Sequence, residues 1–226
     1  MFAGGTFNQN AGTLQLTPSI TFDPSHPFYL NGGTVTGVGT LGSSFVSTDG
    51  GVLAPGNPFG TLSIAGAGGL TMYNSATLSV VLGGSNQFSQ VAVSHGLDSQ
   101  GTLNVTLTNG YAPAIGTQFQ IMSCGNRSSF QFATLNVPQG ISVNYSNSGV
   151  YLVVTGTVPA QLQSPQISGG YFTFSFGTAN GQSYTVQQNT NLATTNWTFY
   201  TNITGNGSLY QKSGPHSLDH ETQKLS

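Results

Sequence analysis

The run Gly50-Gly51-Val52-Leu53-Ala54-Pro55-Gly56-Asn57-Pro58-Phe59-Gly60-Thr61-Leu62-Ser63-Ile64 holds two short β-prone pieces parted by a Pro-Gly-Asn-Pro corner. Leu62 and Ile64 alternate with Thr61 and Ser63, the period of a strand with one buried face. Gly56 and Gly60 suit positive φ and close backbone approach. Pro55 and Pro58 stiffen the corner and remove donors at an exposed edge. Asn57 can bond its own backbone two residues on, or stack with an asparagine in a neighbouring turn of the chain. Nothing in the run activates a nucleophile.

The same pattern extends outward. Gly12-Thr13-Leu14-Gln15-Leu16 and Gly33-Thr34-Val35-Thr36-Gly37 also give two or three alternating residues and then a turn. Sandwich strands usually run about 5–6 residues. Pieces of three or four between frequent turns fit a β-solenoid better, where each coil pairs with the next and buries a narrow stripe. No single strict period emerges. From residue 70 the strands lengthen: Leu78, Val80 and Leu82 alternate, as do Leu103, Val105 and Leu107, and Phe119 and Ile121 share a face. Gly149–Val154 is apolar on both faces, as in a covered strand. Asn109-Gly110 marks a tight turn.

The reading is therefore all-β: a parallel β-solenoid over residues 1–157, a linker at 158–165, and a small, incomplete antiparallel β-sandwich at 166–211. Val158-Pro159-Ala160-Gln161-Leu162-Gln163-Ser164-Pro165 is the linker-like stretch. After it, Tyr171-Phe172-Thr173-Phe174-Ser175-Phe176 alternates aromatics, with Phe172, Phe174 and Phe176 on the core-filling face. Residues 212–226 hold both of the chain's lysines, two of its five acids and two of its four histidines. This shift of composition reads as a disordered or non-native tail.

Only 4% of the residues are charged, against about 25% in an ordinary soluble domain, so Asn, Gln, Ser, Thr and backbone must carry the solubility. The 32 glycines and 10 prolines disfavour helix, while 37% hydrophobic content in alternating runs argues against disorder. Arg127, Lys212 and Lys224 are scattered, which excludes the clustered positive charge of a nucleic-acid binder. No apolar run reaches the length of a membrane-spanning helix. The first ten residues lack the basic start and apolar stretch of a signal peptide, so the chain reads as a fragment of a longer exported protein. Cys124 is the only cysteine and reads as a small core residue beside Ile121 and Met122.

Residues 33–155 resemble the C-terminal part of autotransporter and haemagglutinin-like passengers. The Ala54-Pro55-Gly56-Asn57-Pro58-Phe59-Gly60-Thr61-Leu62 signature carries the likeness. Leu78–Leu82, Gly101–Val105, Gly110–Met122 and Tyr151–Val154 follow in the family's order. The resemblance implies a right-handed parallel β-helix on a bacterial surface, serving adhesion, display or spacing, secreted or held at the cell surface. The membrane barrel that ends such proteins has no counterpart here. Residues 164–211 resemble instead a sandwich module at the ends of large exported verrucomicrobial proteins, through Asn180–Gln187 and Thr190–Thr198. That module continues for further strands, so here it would leave a sheet edge open to self-association.

No catalytic set stands out. Ser94, His95 and Asp98 are the only local nucleophile-base-acid grouping, yet Ser94 and His95 would face opposite sides of a strand, and no nucleophile elbow exists. Asp23, Asp49 and Asp98 are the only acids before the tail, too few for an evident glycosidase pair or calcium-dependent lyase. His216, Asp219, His220 and Glu221 have the spacing of adventitious metal ligands in a flexible tail. No cofactor or resident metal is expected. The expected function is structural or adhesive. The alternative is carbohydrate binding, with Tyr171, Trp197 and Tyr200 stacking on sugar rings and polysaccharide or cell-surface ligands as partners. A polysaccharide-acting or esterase-type hydrolase comes last.

Overall fold

The computed structural model of the chain describes residues 5–18, 22, 24–189, 193–215 and 222–225. It is all-β, with parallel sheets and some antiparallel pairing. The chain enters through β1 (Phe7–Gln9) and β2 (Thr13–Leu16). Four turns of three strands follow. They are β3 (Phe28–Leu30), β4 (Thr34–Gly37) and β5 (Thr40–Leu41); then β6 (Val46–Thr48), β7 (Val52–Pro55) and β8 (Gly60–Ile64). Next come β9 (Leu70–Met72), β10 (Thr77–Gly84) and β11 (Gln87–Val93); then β12 (Gly96–Ser99), β13 (Thr102–Leu107) and β14 (Gln118–Ser123). Two short strands, β15 (Asn126–Arg127) and β16 (Thr134–Asn136), and a hairpin, β17 (Ile141–Ser146) and β18 (Gly149–Val154), complete this part.

Parallel pairing sorts these strands into three ladders. The first is β1-β3-β6-β9-β12-β15, the second β2-β4-β7-β10-β13-β16, and the third β5-β8-β11-β14. In the second ladder Leu14, Val35, Leu53, Leu78, Leu103 and Leu135 stand in register. The four interior members are fully buried, whereas Leu135 at the end is 48% exposed. Each fully buried member contributes about 1.5–3 kcal/mol. The residue numbers show why no fixed period emerges from the sequence: the register is constant while the intervening corners vary in length.

The first ladder stacks Phe7, Phe28, Val46, Leu70 and Leu97 and ends on Arg127. Phe7 and Phe28 stack at 5.0 Å, and Phe22 meets both edge-on. In the third ladder Leu41, Ile64 and Val93 align, as do Leu62, Val91 and Met122. Strands β10 and β11 also meet antiparallel, through Leu82 opposite Phe88. Buried Ser89 ties this corner together. Its hydroxyl accepts the Val81 N–H (3.1 Å) and donates to the Pro58 carbonyl (3.2 Å).

The Pro-Gly-Asn-Pro corner is held by its glycine. Gly56 has φ +89° and exchanges both main-chain hydrogen bonds with Gly37 (2.8 and 3.1 Å). A Cβ on Gly56 would overlap the Phe59 carbonyl carbon. Asparagine pairing occurs away from Asn57, between Asn31 and Asn10 (3.0 Å) and between Asn136 and Asn104 (2.7 Å).

At the far end the direction of pairing changes. Strand β18 runs antiparallel to β14, and β17 antiparallel to β18, so the third ladder ends in a hairpin. Arg127 closes the first ladder. Its Nε donates to the Ser146 carbonyl (2.9 Å), one terminal nitrogen donates to the Phe130 carbonyl (2.7 Å), and the guanidinium lies 5.1 Å from the Tyr145 ring centroid.

The second unit has two antiparallel three-stranded sheets. One is β19 (Gln163–Ser168), β20 (Tyr171–Gly177) and β23 (Leu209–Pro215). The other is β22 (Thr198–Thr204), β21 (Ser183–Asn189) and β24 (Thr222–Leu225). Phe174, Phe176, Tyr184 and Val186 form its core, with Phe172 packed against it. Two boundaries differ from those read in the sequence. The stretch expected as a linker at 158–165 is partly built in. Val158 is buried in the first core, Ala160 packs on the second, and Gln163 opens β19. The boundary at 211 also moves. Lys212 and Ser213 pair with Phe174 and Thr173, and Thr222–Leu225 pairs with β21. Composition suggested a tail there, but β20 and β21 supply unpaired edges that accept these residues despite their polarity. Residues 216–221 and 226 of the proposed tail, including His216, Asp219, His220 and Glu221, lie outside the described residues.

No helix among the described residues is long and apolar enough to cross a membrane.

The depth of the second ladder's column predicts a graded response. Leu103→Ala should lose about 2–5 kcal/mol of unfolding free energy, the range for a fully buried leucine. Leu135→Ala should lose less than about 1 kcal/mol, as at a surface position. Urea denaturation of both variants measures the difference, and equal losses would contradict the stacking.

Candidate functional site

The residues expected to stack on sugars divide between the two sheets of the second unit. Tyr171 opens β20, opposite Ser168 and Pro215, and is 52% exposed. Its neighbour Phe172 turns towards the core, as the alternation requires. Trp197 lies half-buried just before β22, and its main-chain N–H donates to the Thr195 carbonyl (3.0 Å). Tyr200 belongs to β22, and the Lys212 ammonium sits 5.0 Å from its ring centroid. Lys212 pairs with buried Phe174, so its stem runs along the inner face and its cation reaches the opposite sheet. Tyr200 therefore takes part in closing the sandwich.

Phe199, which the sequence reading left out of the site, is the most exposed large hydrophobic side chain described, at 63%. Its register explains this. Between Val186 and Gln187 the pairing with β22 slips by one residue, so Thr201 faces Val186 while Phe199 faces Gln187. The bulge at Tyr200 turns Phe199 to the outer face. One sequence signal existed. Two adjacent aromatics, Phe199 and Tyr200, cannot both follow strict alternation into one core. The outer face beside Phe199 carries the Thr185–Asn202 hydrogen bond (3.0 Å), so a ring and uncharged polar groups lie on one sheet. Such a surface can meet a sugar's apolar face with its ring and the sugar hydroxyls with its amide and hydroxyl groups.

Ser94 and His95 are exposed at the bend between β11 and β12, and Asp98 lies on β12 opposite Thr71. The His95 carbonyl accepts the N–H groups of Gly125 (3.0 Å) and Asn126 (3.4 Å), a backbone role that holds the next turn. Asp49 accepts a hydrogen bond from Ser75. Among the described residues, no three His, Cys, Asp or Glu side chains gather as metal ligands would.

Cys124 follows β14 and is half-buried against the first core, with its thiol 3.7 Å from the Asn147 carbonyl. Burial raises its pKa, and nearby Arg127 opposes part of that rise. Burial likewise raises Tyr145, against smaller lowering effects of the Phe132 N–H and Arg127, and it raises Tyr111. A raised pKa keeps Cys124 a neutral thiol and a poor nucleophile at neutral pH.

A scan of the chain against family models and a search of curated proteins each found no match.

The three raised pKa values share a sign. The folded state holds these protons more tightly than the unfolded state, so their contribution is complete below the unfolded pKa values. It is lost as pH rises through the folded ones. Two outcomes are expected: stability that declines on the alkaline side, and alkylation of folded Cys124 that starts at higher pH than in the urea-unfolded chain. Iodoacetamide rates against pH check this. A folded-state profile shifted to lower pH would contradict it.

Proposed function

We propose that this chain is a structural, adhesive segment of a large exported bacterial surface protein, without catalysis of its own. In this reading the three ladders are the faces of a parallel β-solenoid, right-handed as nearly all parallel crossovers are. The hairpin β17–β18 is its cap, and a small β-sandwich follows. The observation that carries the reading is the order of visits. From β3 to β14 each turn of the chain gives one strand to each ladder and then returns to the first. A solenoid grows by repeating that circuit, and its use is length and surface rather than a pocket. The passenger-like signature at Ala54–Leu62 supports the same reading, as does a composition with only 4% charged residues. Polysaccharide or other cell-surface material is the proposed ligand class. The sheet edge of β22, paired on one side and free of lysine, acid and proline, offers a route to self-association.

Exposed Phe199, with the Thr185–Asn202 pair on the same sheet, favours one second reading, a carbohydrate-binding accessory module.

Brief treatment of intact source cells with a nonspecific protease separates surface placement from an internal location. Peptides from this chain should be released before any cytosolic marker, and their appearance only after lysis would overturn the proposal. In affinity electrophoresis through soluble polysaccharides, retardation abolished by Phe199→Ala at unchanged melting temperature would establish the second reading. Unretarded migration would remove it.

A further inference from the structure

We propose that the free edge of β13 at Val105–Leu107 is a strand-addition site for an extended, uncharged peptide segment of a partner protein. The inference rests on strand pairing and is independent of the surface role above. Strand β13 pairs with β10 along its whole length, from Thr102 to Leu107. On its other side β16 covers only Thr102 to Asn104. Pro138 follows soon after, and the chain leaves the ladder. Three residues of β13 therefore have a neighbour on one side only.

The direction of the unused groups follows from the bonds that are made. Thr102 and Thr108 donate their N–H groups to the carbonyls of Ala76 and Leu82, both at 2.9 Å. Along a strand, main-chain groups point alternately to the two sides. The even-numbered residues therefore face β10, and Leu103, Val105 and Leu107 face away. Beyond the end of β16, the Val105 carbonyl and the Leu107 N–H and carbonyl are directed at an open groove of about 660 Å³, whose lining includes Leu107, Leu135, Val137 and Gln161.

The occupant follows from this chemistry. A free strand edge asks for main-chain donors and acceptors at the ladder spacing of about 4.8 Å, which a peptide supplies and a sugar or flat small molecule does not. Val105 and Leu107 are in register with buried Val80 and Leu82, so the added strand needs apolar residues at alternate positions to continue those columns. Exposed Leu135 gives it an apolar wall. The groove lining carries no charged side chain, so a charged residue entering it would lose water without gaining a partner. No lysine, acid or proline on β13 blocks the edge, in contrast to β23 with Lys212 and Pro215.

Amide hydrogen exchange on the full chain tests the site, with the capped peptide Val80–Gly84 as probe. This peptide reproduces the strand that already pairs with Val105–Leu107 on the other side. In the free protein Leu107 should exchange fast while Thr106 and Thr108 exchange slowly. At peptide concentrations about ten times its dissociation constant, Leu107 should slow by about tenfold, the factor mass action gives. A peptide carrying Val81→Pro lacks the N–H that the Val105 carbonyl would accept and should leave Leu107 fast. Slow exchange of Leu107 without peptide would overturn the proposal, as would no effect of the probe or equal effects of both peptides. Protection that grows with protein concentration alone would assign the edge to a second copy and overturn it as well.

Discussion

A strand of three or four residues sends only one or two side chains inward, too few to hold it in place alone. What holds it is the strand above and the strand below. Leu53, Leu78 and Leu103 are buried because each is covered on both sides by its counterpart in register. The main-chain ladder and the apolar column are thus one interaction, since register brings like residues together and their burial fixes register. Other features follow from it. The corners can vary in length, the outward residues can be Thr, Asn or Gln without charge, and the ends need special treatment because a column has no natural stop.

The ends are treated in three ways. The third ladder stops at an antiparallel hairpin, whose strands bring their own partners. The first stops at Arg127, the only arginine, whose guanidinium exchanges the apolar column for two carbonyls and an aromatic ring. The second stops at β16 with Leu135 exposed. The sole cysteine and Tyr145 lie beside the Arg127 closure, and burial there raises both pKa values, so this closure ties stability to protonation in a chain with few charged residues.

Much of this was legible in the sequence, and for identifiable reasons. Glycine-bounded runs with alternating apolar residues gave the all-β class, and Leu78, Val80, Leu82, Phe119 and Ile121 are all fully buried as their alternation requires. Register was not legible, because residues as uneven in spacing as Val35, Leu53 and Leu78 align only once their corners are known. The charged end of the chain looked foreign by composition, yet Lys212 and Ser213 lie in β23, since an open strand edge accepts any backbone that can pair. In the second unit Tyr171, Trp197 and Tyr200 looked alike, and the structure separates them by sheet and burial. Phe199 stayed out of the expected site because a single bulge inverts the face on which it lies.

The central claim is the shared register of the parallel ladders, and it has a direct measurement in the nuclear Overhauser effects between Hα and amide protons of neighbouring strands. The account predicts cross-peaks linking Leu53 with the Leu78 segment, and the Leu78 segment with Leu103, all in one parallel alignment. Cross-peaks in an antiparallel pattern between β7, β10 and β13, or in a register displaced by one residue, would contradict it.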